Sequence, residues 1–186
     1  VRGQPPLDAE VAALHEILRL AALAEAERLQ LEQHDRREGV VDHGRVDVVP
    51  PSLALAQAAK ESAWGTSRFA RQGNNFFGEW CFTEGCGIVP KNRGAGAYHE
   101  VRKFSFPAQS VFSYFRNINT HPAYEELRDL RSALAESGEP LTGLDLAVAL
   151  SNYSERRERY VKEVRSIIVG NKLEAYATEL TQQQNK

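Results

Sequence analysis

The string Ala56-Gln57-Ala58-Ala59-Lys60-Glu61-Ser62-Ala63-Trp64-Gly65 holds the residue best suited to acid chemistry. Glu61 stands near the end of an Ala- and Leu-rich segment. Helical i, i+4 spacing puts Gln57 and Glu61 on one face. A carboxyl buried beside Trp64 would have its pKa raised and keep its proton closer to neutrality, as a general acid requires. The plainer reading is a surface glutamate beside Lys60. A second string, Gly73-Asn74-Asn75-Phe76-Phe77-Gly78-Glu79-Trp80, sets aromatic rings among glycines and amides. Rings stack on the C–H faces of sugars and amides bond hydroxyl or acetamido groups, so Asn74, Asn75, Phe76 and Trp80 suit a sugar-binding cleft. The competing reading makes the phenylalanines core and the asparagines turn formers. Glu79, Glu84 and Glu100 are the candidates for the second carboxylate that glycoside hydrolysis commonly uses, with Glu79 best explained as a solvated charge. Late in the chain Tyr153 follows an apolar stretch, next to Ser151, where its hydroxyl could reach into a cleft or simply pack.

Cys81 and Cys86 stand five positions apart. A zinc site needs about four ligands, and only His99 lies nearby in sequence, which argues against metal. In an oxidising compartment a disulfide closing the short loop is the simpler reading. No cofactor is called for. Lys91, Arg93, Arg102 and Lys103 form a local basic group that could meet an anionic polymer or be plain surface.

The elements that position these residues are mostly helical. Residues 8–38 read as one long helix with Asp8 as cap, an apolar stripe of Val11, Leu14, Leu18, Ala21 and Leu29, and a charged opposite face. Such a helix docks on something or pairs with a copy of itself. Gly39, Gly44, Pro50 and Pro51 break the chain, and Ser52 is expected to cap a helix reaching about Ala63. Between Gly65 and Gly96 lie seven of the thirteen glycines, so this stretch is expected to be irregular structure or short hairpin. Residues 98–106 alternate apolar and polar as a short strand would. Helices are expected from Pro107, over 123–136, from a Thr142 cap, and over 156–169. The fold class is therefore mainly α, with a short β-hairpin.

Composition narrows the function classes. The 186 residues are 42% hydrophobic and 26% charged, which suits a globular domain rather than a disordered chain. A formal net charge of −2 offers no global basic field for nucleic acid. The apolar stretches, such as Leu53–Ala59, are too short to cross a bilayer. Residue 1 is Val and Met is absent, so the sequence is expected to lack its translational start and any targeting segment.

Together these strings resemble the bacterial glucosaminidases of glycoside hydrolase family 73, and within them the branch called Bax proteins. The family's Ala-Gln-x-x-x-Glu-Ser-x-Trp-Gly string stands here at Ala56–Gly65. Its Asn-x-Phe-Gly stands at Asn75–Gly78, with Phe76 where the family has Leu. A Tyr, a polar stretch and a second Tyr stand at Tyr153 and Tyr160, and the usual Gly-Tyr-Ala-Thr becomes Asn152-Tyr153-Ser154-Glu155. The Bax branch adds Trp80-Cys81-Phe82, Gly85-Cys86-Gly87, His99-Glu100-Val101, Asn119-Thr120-His121 and Pro140-Leu141-Thr142-Gly143. The resemblance covers roughly residues 48–170. It implies a lysozyme-like, two-lobed fold with an extra N-terminal helix, giving an arm over 1–47, a glucosaminidase domain over 48–170 and a helical tail over 171–186.

The resemblance also implies hydrolysis of the β-1,4 bond on the reducing side of N-acetylglucosamine in peptidoglycan, and a periplasmic or cell-envelope address. By position Glu61 is the general acid and Tyr153 the supporting tyrosine; the second carboxylate varies within the family and does not carry over by position, so Glu84 and Glu100 stay as the candidates. Gln57, Trp64, Asn74, Asn75, Phe76, Trp80 and Ser151 are expected to contact substrate. The expected partner is the glycan strand, with no nucleic acid, no membrane span and self-association through the 8–38 helix. Competing readings are a lytic transglycosylase of the same fold and a non-catalytic wall-binding module.

Overall fold

The computed structural model describes residues 49–138, 141–152, 157–176 and 178. The long helix expected over 8–38, Tyr153 and the end of the C-terminal tail lie outside the described residues.

Helix α1, Pro51–Ser62, is the central rod. Pro51 starts it at a first-turn position where a missing N–H costs nothing, and the cap residue is Pro50. Ser52, expected as the cap, lies instead inside the first turn and is fully buried. Leu53, Ala54, Leu55, Ala56, Ala58 and Ala59 are all buried, so α1 is apolar almost all round rather than along one stripe. A short helix α2, Arg68–Gly73, follows. It was not expected within the glycine-rich stretch. Ser67 caps it by accepting a hydrogen bond from the Ala70 N–H at 3.1 Å.

Three short strands come next: β1 (Trp80–Cys81), β2 (Gly87–Ile88) and β3 (Glu100–Arg102). The expected hairpin is a three-stranded antiparallel sheet in the order β1-β3-β2, so β1 and β2 are joined in sequence but each pairs only with β3. Trp80 faces Val101, Cys81 faces Glu100, and Ile88 faces Val101. At Gly87 a Cβ would stand 2.0 Å from the Val101 carbonyl oxygen, so only glycine lets β2 approach β3.

The helical body resumes with α3 (Pro107–Thr120), a 3₁₀ turn at Pro122–Tyr124, α4 (Glu125–Ser137), α5 (Gly143–Leu146), a 3₁₀ turn at Ala147–Asn152 and α6 (Arg157–Gly170). Pro107 starts α3 and Thr142 caps α5 through the Asp145 N–H, as their sequence positions imply. The buried Arg128 of α4 donates to the Ile118 and His121 carbonyls, 3.1 and 2.9 Å away, and so satisfies the C-terminal end of α3. Helix α6 lies against α1, and their facing side chains join one core with Val111, Tyr114 and Ile118 of α3 and Leu127 of α4. The fold is mainly α, a helical body carrying a small sheet lobe. Among the described residues no helix is long and apolar enough to cross a membrane.

Candidate active site

Glu61 sits on the last turn of α1, where the helical body meets the glycine turn that leads into the sheet. The Gly78 turn lies beside the carboxyl: a Cβ placed on Gly78 would lie 4.0 Å from Glu61 Oε2, and the φ of +70° held by Gly78 is one that glycine adopts without strain. The backbone behind Glu61 is tightly fixed. Ala63 and Trp64 both take left-handed conformations, φ +50° and +58°, and Gly65 follows at +76°. The Trp64 N–H returns to the Ala59 carbonyl at 2.8 Å. The Ser62 hydroxyl donates to the Ala58 carbonyl at 2.6 Å and accepts the Gly65 N–H at 2.7 Å. The string Glu61-Ser62-Ala63-Trp64-Gly65 is thus a helix stop in which the serine staples the turn.

Burial raises the Glu61 carboxyl above the ordinary range, opposed by a hydrogen bond from the Tyr160 hydroxyl and by the positive charge of Lys60. Lys60 itself turns away. Its Nζ is bonded to the Glu163 carboxylate and lies 5.2 Å from the Tyr160 ring centroid. Tyr160, on α6, meets both residues of the expected i, i+4 pair. Gln57 Nε2 donates to the Tyr160 hydroxyl at 3.1 Å, which leaves the hydroxyl's own proton for Glu61. Gln57 Oε1 in turn accepts from the Tyr114 hydroxyl at 2.6 Å. The result is a directed chain, Tyr114 to Gln57 to Tyr160 to Glu61. Tyr114 is anchored by Phe77, whose ring stacks on it at 4.0 Å between centroids. A further hydroxyl, that of Tyr124, lies within electrostatic reach of Glu61; burial raises its pKa, opposed by its hydrogen bond with the Asn117 side chain and reinforced by Glu61 when that carboxyl is ionised.

The other expected site residues divide. Gln57 is fully buried, with its two amide ends bonded to the Tyr160 and Tyr114 hydroxyls. Asn75 is likewise buried: its amide bonds the Glu79 and Arg102 carbonyls, both at 2.9 Å, and the Glu79 N–H at 3.1 Å. It ties the 75–79 turn to β3. Asn74 caps α2 in a left-handed conformation and donates to the Phe104 carbonyl at 3.0 Å. Phe76 and Phe77 are both core residues. Trp64 is half-buried on the turn after Glu61, Ser151 is half-buried at the end of the second 3₁₀ turn, and Trp80 is exposed.

Of the second carboxylates, Glu100 is buried and its two oxygens accept the Gly85 and Gly87 N–H groups at 3.1 and 2.7 Å. It clamps the loop between β1 and β2. Glu84 stands exposed on the turn of that loop, and Glu79 pairs with Arg102 at 2.7 Å. Cys81 and Cys86 are joined as a disulfide, Cα–Cα 6.2 Å. Both sulfurs and a Glu100 oxygen lie within 4.8 Å of one another, but the sulfurs are spent on each other and the carboxylate on amides. Tyr160, Tyr114 and Tyr124 were not among the expected site residues. Only Tyr160 left a trace, as the second tyrosine of its string.

Residues 40–173 match the family described as glucosaminidase, mannosyl-glycoprotein endo-beta-N-acetylglucosaminidase. Protein bax of Escherichia coli (strain K12) is 37% identical over 116 residues, which take in 62% of this chain and 40% of that protein. The chain therefore spans less than half the length of that relative. Among solved structures, the catalytic domain of the autolysin Auto from Listeria monocytogenes shares the fold, with a TM-score of 0.60 at 17% identity, covering 95% of this chain and 90% of that one.

Proposed function

The chain belongs to the glucosaminidase family, and from that premise we propose that it hydrolyses the β-1,4 bond on the reducing side of N-acetylglucosamine in peptidoglycan, with Glu61 as general acid. The observation that carries the reading is the Glu61 carboxyl itself. It is half-buried, its pKa is raised by desolvation, it is oriented by a buried hydroxyl, and the Gly78 turn lies beside it.

In this reading Glu61 gives its proton to the glycosidic oxygen as the bond to the leaving sugar breaks. Positive charge builds on the remaining ring as an oxocarbenium ion. Because Glu100 is committed to the Gly85 and Gly87 amides, that charge falls to Glu84 or to the substrate's own 2-acetamido oxygen. Substrate assistance is a known exception to the two-carboxylate scheme. Water then adds and restores the proton to Glu61. Tyr153 is proposed to orient the acetamido group or the water, and Trp64 and Trp80 to contact the strand. A glycan strand as substrate implies an envelope or extracellular address.

The test is Glu61→Gln on purified peptidoglycan. The variant keeps the shape and removes the acid, and should lower turnover at least ~100-fold. Mass spectrometry of the wild-type digest should show new reducing N-acetylglucosamine ends. Near-normal turnover by the variant removes Glu61 from the chemistry, and an anhydro-muramic product makes the protein a lytic transglycosylase.

A further inference from the structure

The sheet lobe carries a row of rings that its own stability does not explain. Trp80 is 55% exposed, Phe82 61% and Tyr98 70%. They form two pairs across the β1 and β3 segments. Trp80 stacks on His99 with centroids 4.1 Å apart and planes 14° from parallel, and Phe82 meets Tyr98 edge-on at 6.0 Å. A large apolar surface held in water is normally a contact surface.

This one is also held rigid. The Cys81–Cys86 disulfide ties the loop carrying Phe82, and Glu100 draws the Gly85 and Gly87 amides onto β3. Arg93 Nη1 donates to the His99 carbonyl at 3.4 Å, and the Glu79–Arg102 ion pair sets polar groups beside Trp80. Flat exposed rings suit a pyranose, which offers an apolar C–H face ringed by hydroxyls. The rings begin close to the candidate active site along the chain: a Cβ built on Gly78 would lie 4.0 Å from Glu61 Oε2, and the Cα of Trp80, two residues on, is at most about 7 Å from that of Gly78.

We propose that Trp80, Phe82, Tyr98 and His99 form an outer glycan subsite that stacks on sugar rings beyond the bond cut at Glu61, so that binding strengthens with strand length. The proposal rests on the glucosaminidase reading above. Its occupant is a run of β-1,4-linked N-acetylhexosamines extending from the bond cut at Glu61 along the lobe.

The test uses the full chain carrying Glu61→Gln, with and without Phe82→Ala and Tyr98→Ala, titrated calorimetrically with N-acetylglucosamine oligomers of two, four and six units. With the rings intact, affinity should climb from dimer to hexamer. Without them, the hexamer should bind at least ~10-fold more weakly, the cost of losing ring contacts in a binding subsite, while the dimer changes little. Circular dichroism should be unchanged, because both rings are exposed. An unchanged hexamer affinity overturns the subsite, as does an equal loss at every length. So does a shift in sedimentation on removing the rings, which would make the row a self-association surface. Full turnover by Glu61→Gln alone would fail the catalytic reading instead, and is scored separately.

Discussion

At the residue scale the decisive feature is the wiring of one carboxyl. Tyr160 lies 103 positions beyond Gln57, and nothing in local spacing announces that the two meet. The Glu61 string was legible because helix periodicity and residue type sit together within ten residues. Its supporting hydroxyls were not, because they come from α3 and α6 and only packing brings them in. The partners of Asn75 were not legible either: its amide is of a type that suits a sugar, yet it is buried and bonds the Glu79 and Arg102 carbonyls. The wiring has a sign. The Tyr160 hydrogen bond favours the charged form of Glu61 and so opposes the rise caused by burial. Tyr160→Phe keeps the ring and removes the donor, so the Glu61 pKa should rise further. The acid form then persists to higher pH, and the alkaline limb of kcat/KM should move upward. The maximum itself should fall about tenfold, the order of one hydrogen bond to a charged group. A pH–rate profile on soluble glycan checks both. An unmoved limb would mean that Tyr160 merely packs.

At the element scale the end of α1 carries backbone cost. Two consecutive non-glycine residues occupy the left-handed region directly after Ser62, which L-residues adopt at an expense of about 1–2 kcal/mol each. Ala63 is exposed, so nothing but conformation is at stake there. Ala63→Gly should therefore stabilise the fold by about 0.5–1 kcal/mol after the added freedom of the unfolded chain is subtracted. Thermal unfolding should show this as a rise of about 1–4 °C. A fall would mean that the Ala63 methyl is packed. Helix starts marked by Pro107 and Thr142 were legible, since each residue acts locally, the proline through its ring and the threonine through its hydroxyl, whereas α1 begins at Pro51 and not after a Ser52 cap. Helix α2 was not legible, because six residues between glycines show too little periodicity, although Ser67 three positions before Ala70 was a usable cap signal.

At the scale of the whole molecule, the helical body carries Glu61, and the turn at Gly78 beside it leads into the sheet lobe. The body has a continuous core, whereas the lobe is held by one disulfide, one buried carboxylate and a few strand pairs. A loop this short still removes chain freedom worth about 2 kcal/mol when closed. Reduction should therefore loosen the lobe first. Hydrogen exchange at Gly85 and Gly87 should accelerate under reductant while amides of α1 and α6 stay protected. Equal acceleration everywhere would show one indivisible unit. The mainly helical class was legible from periodicity. The strand order was not, since pairing partners are set by a connection of eleven residues between β2 and β3 whose path leaves no period in the chain. That order has a consequence for assembly. A nascent chain emerges from its amino end, and β1 and β2 have no ladder to join until the segment ending at Arg102 follows them. The two cysteines stand only five positions apart, so their bond needs nothing from the last strand, whereas the ladder on either side of it does.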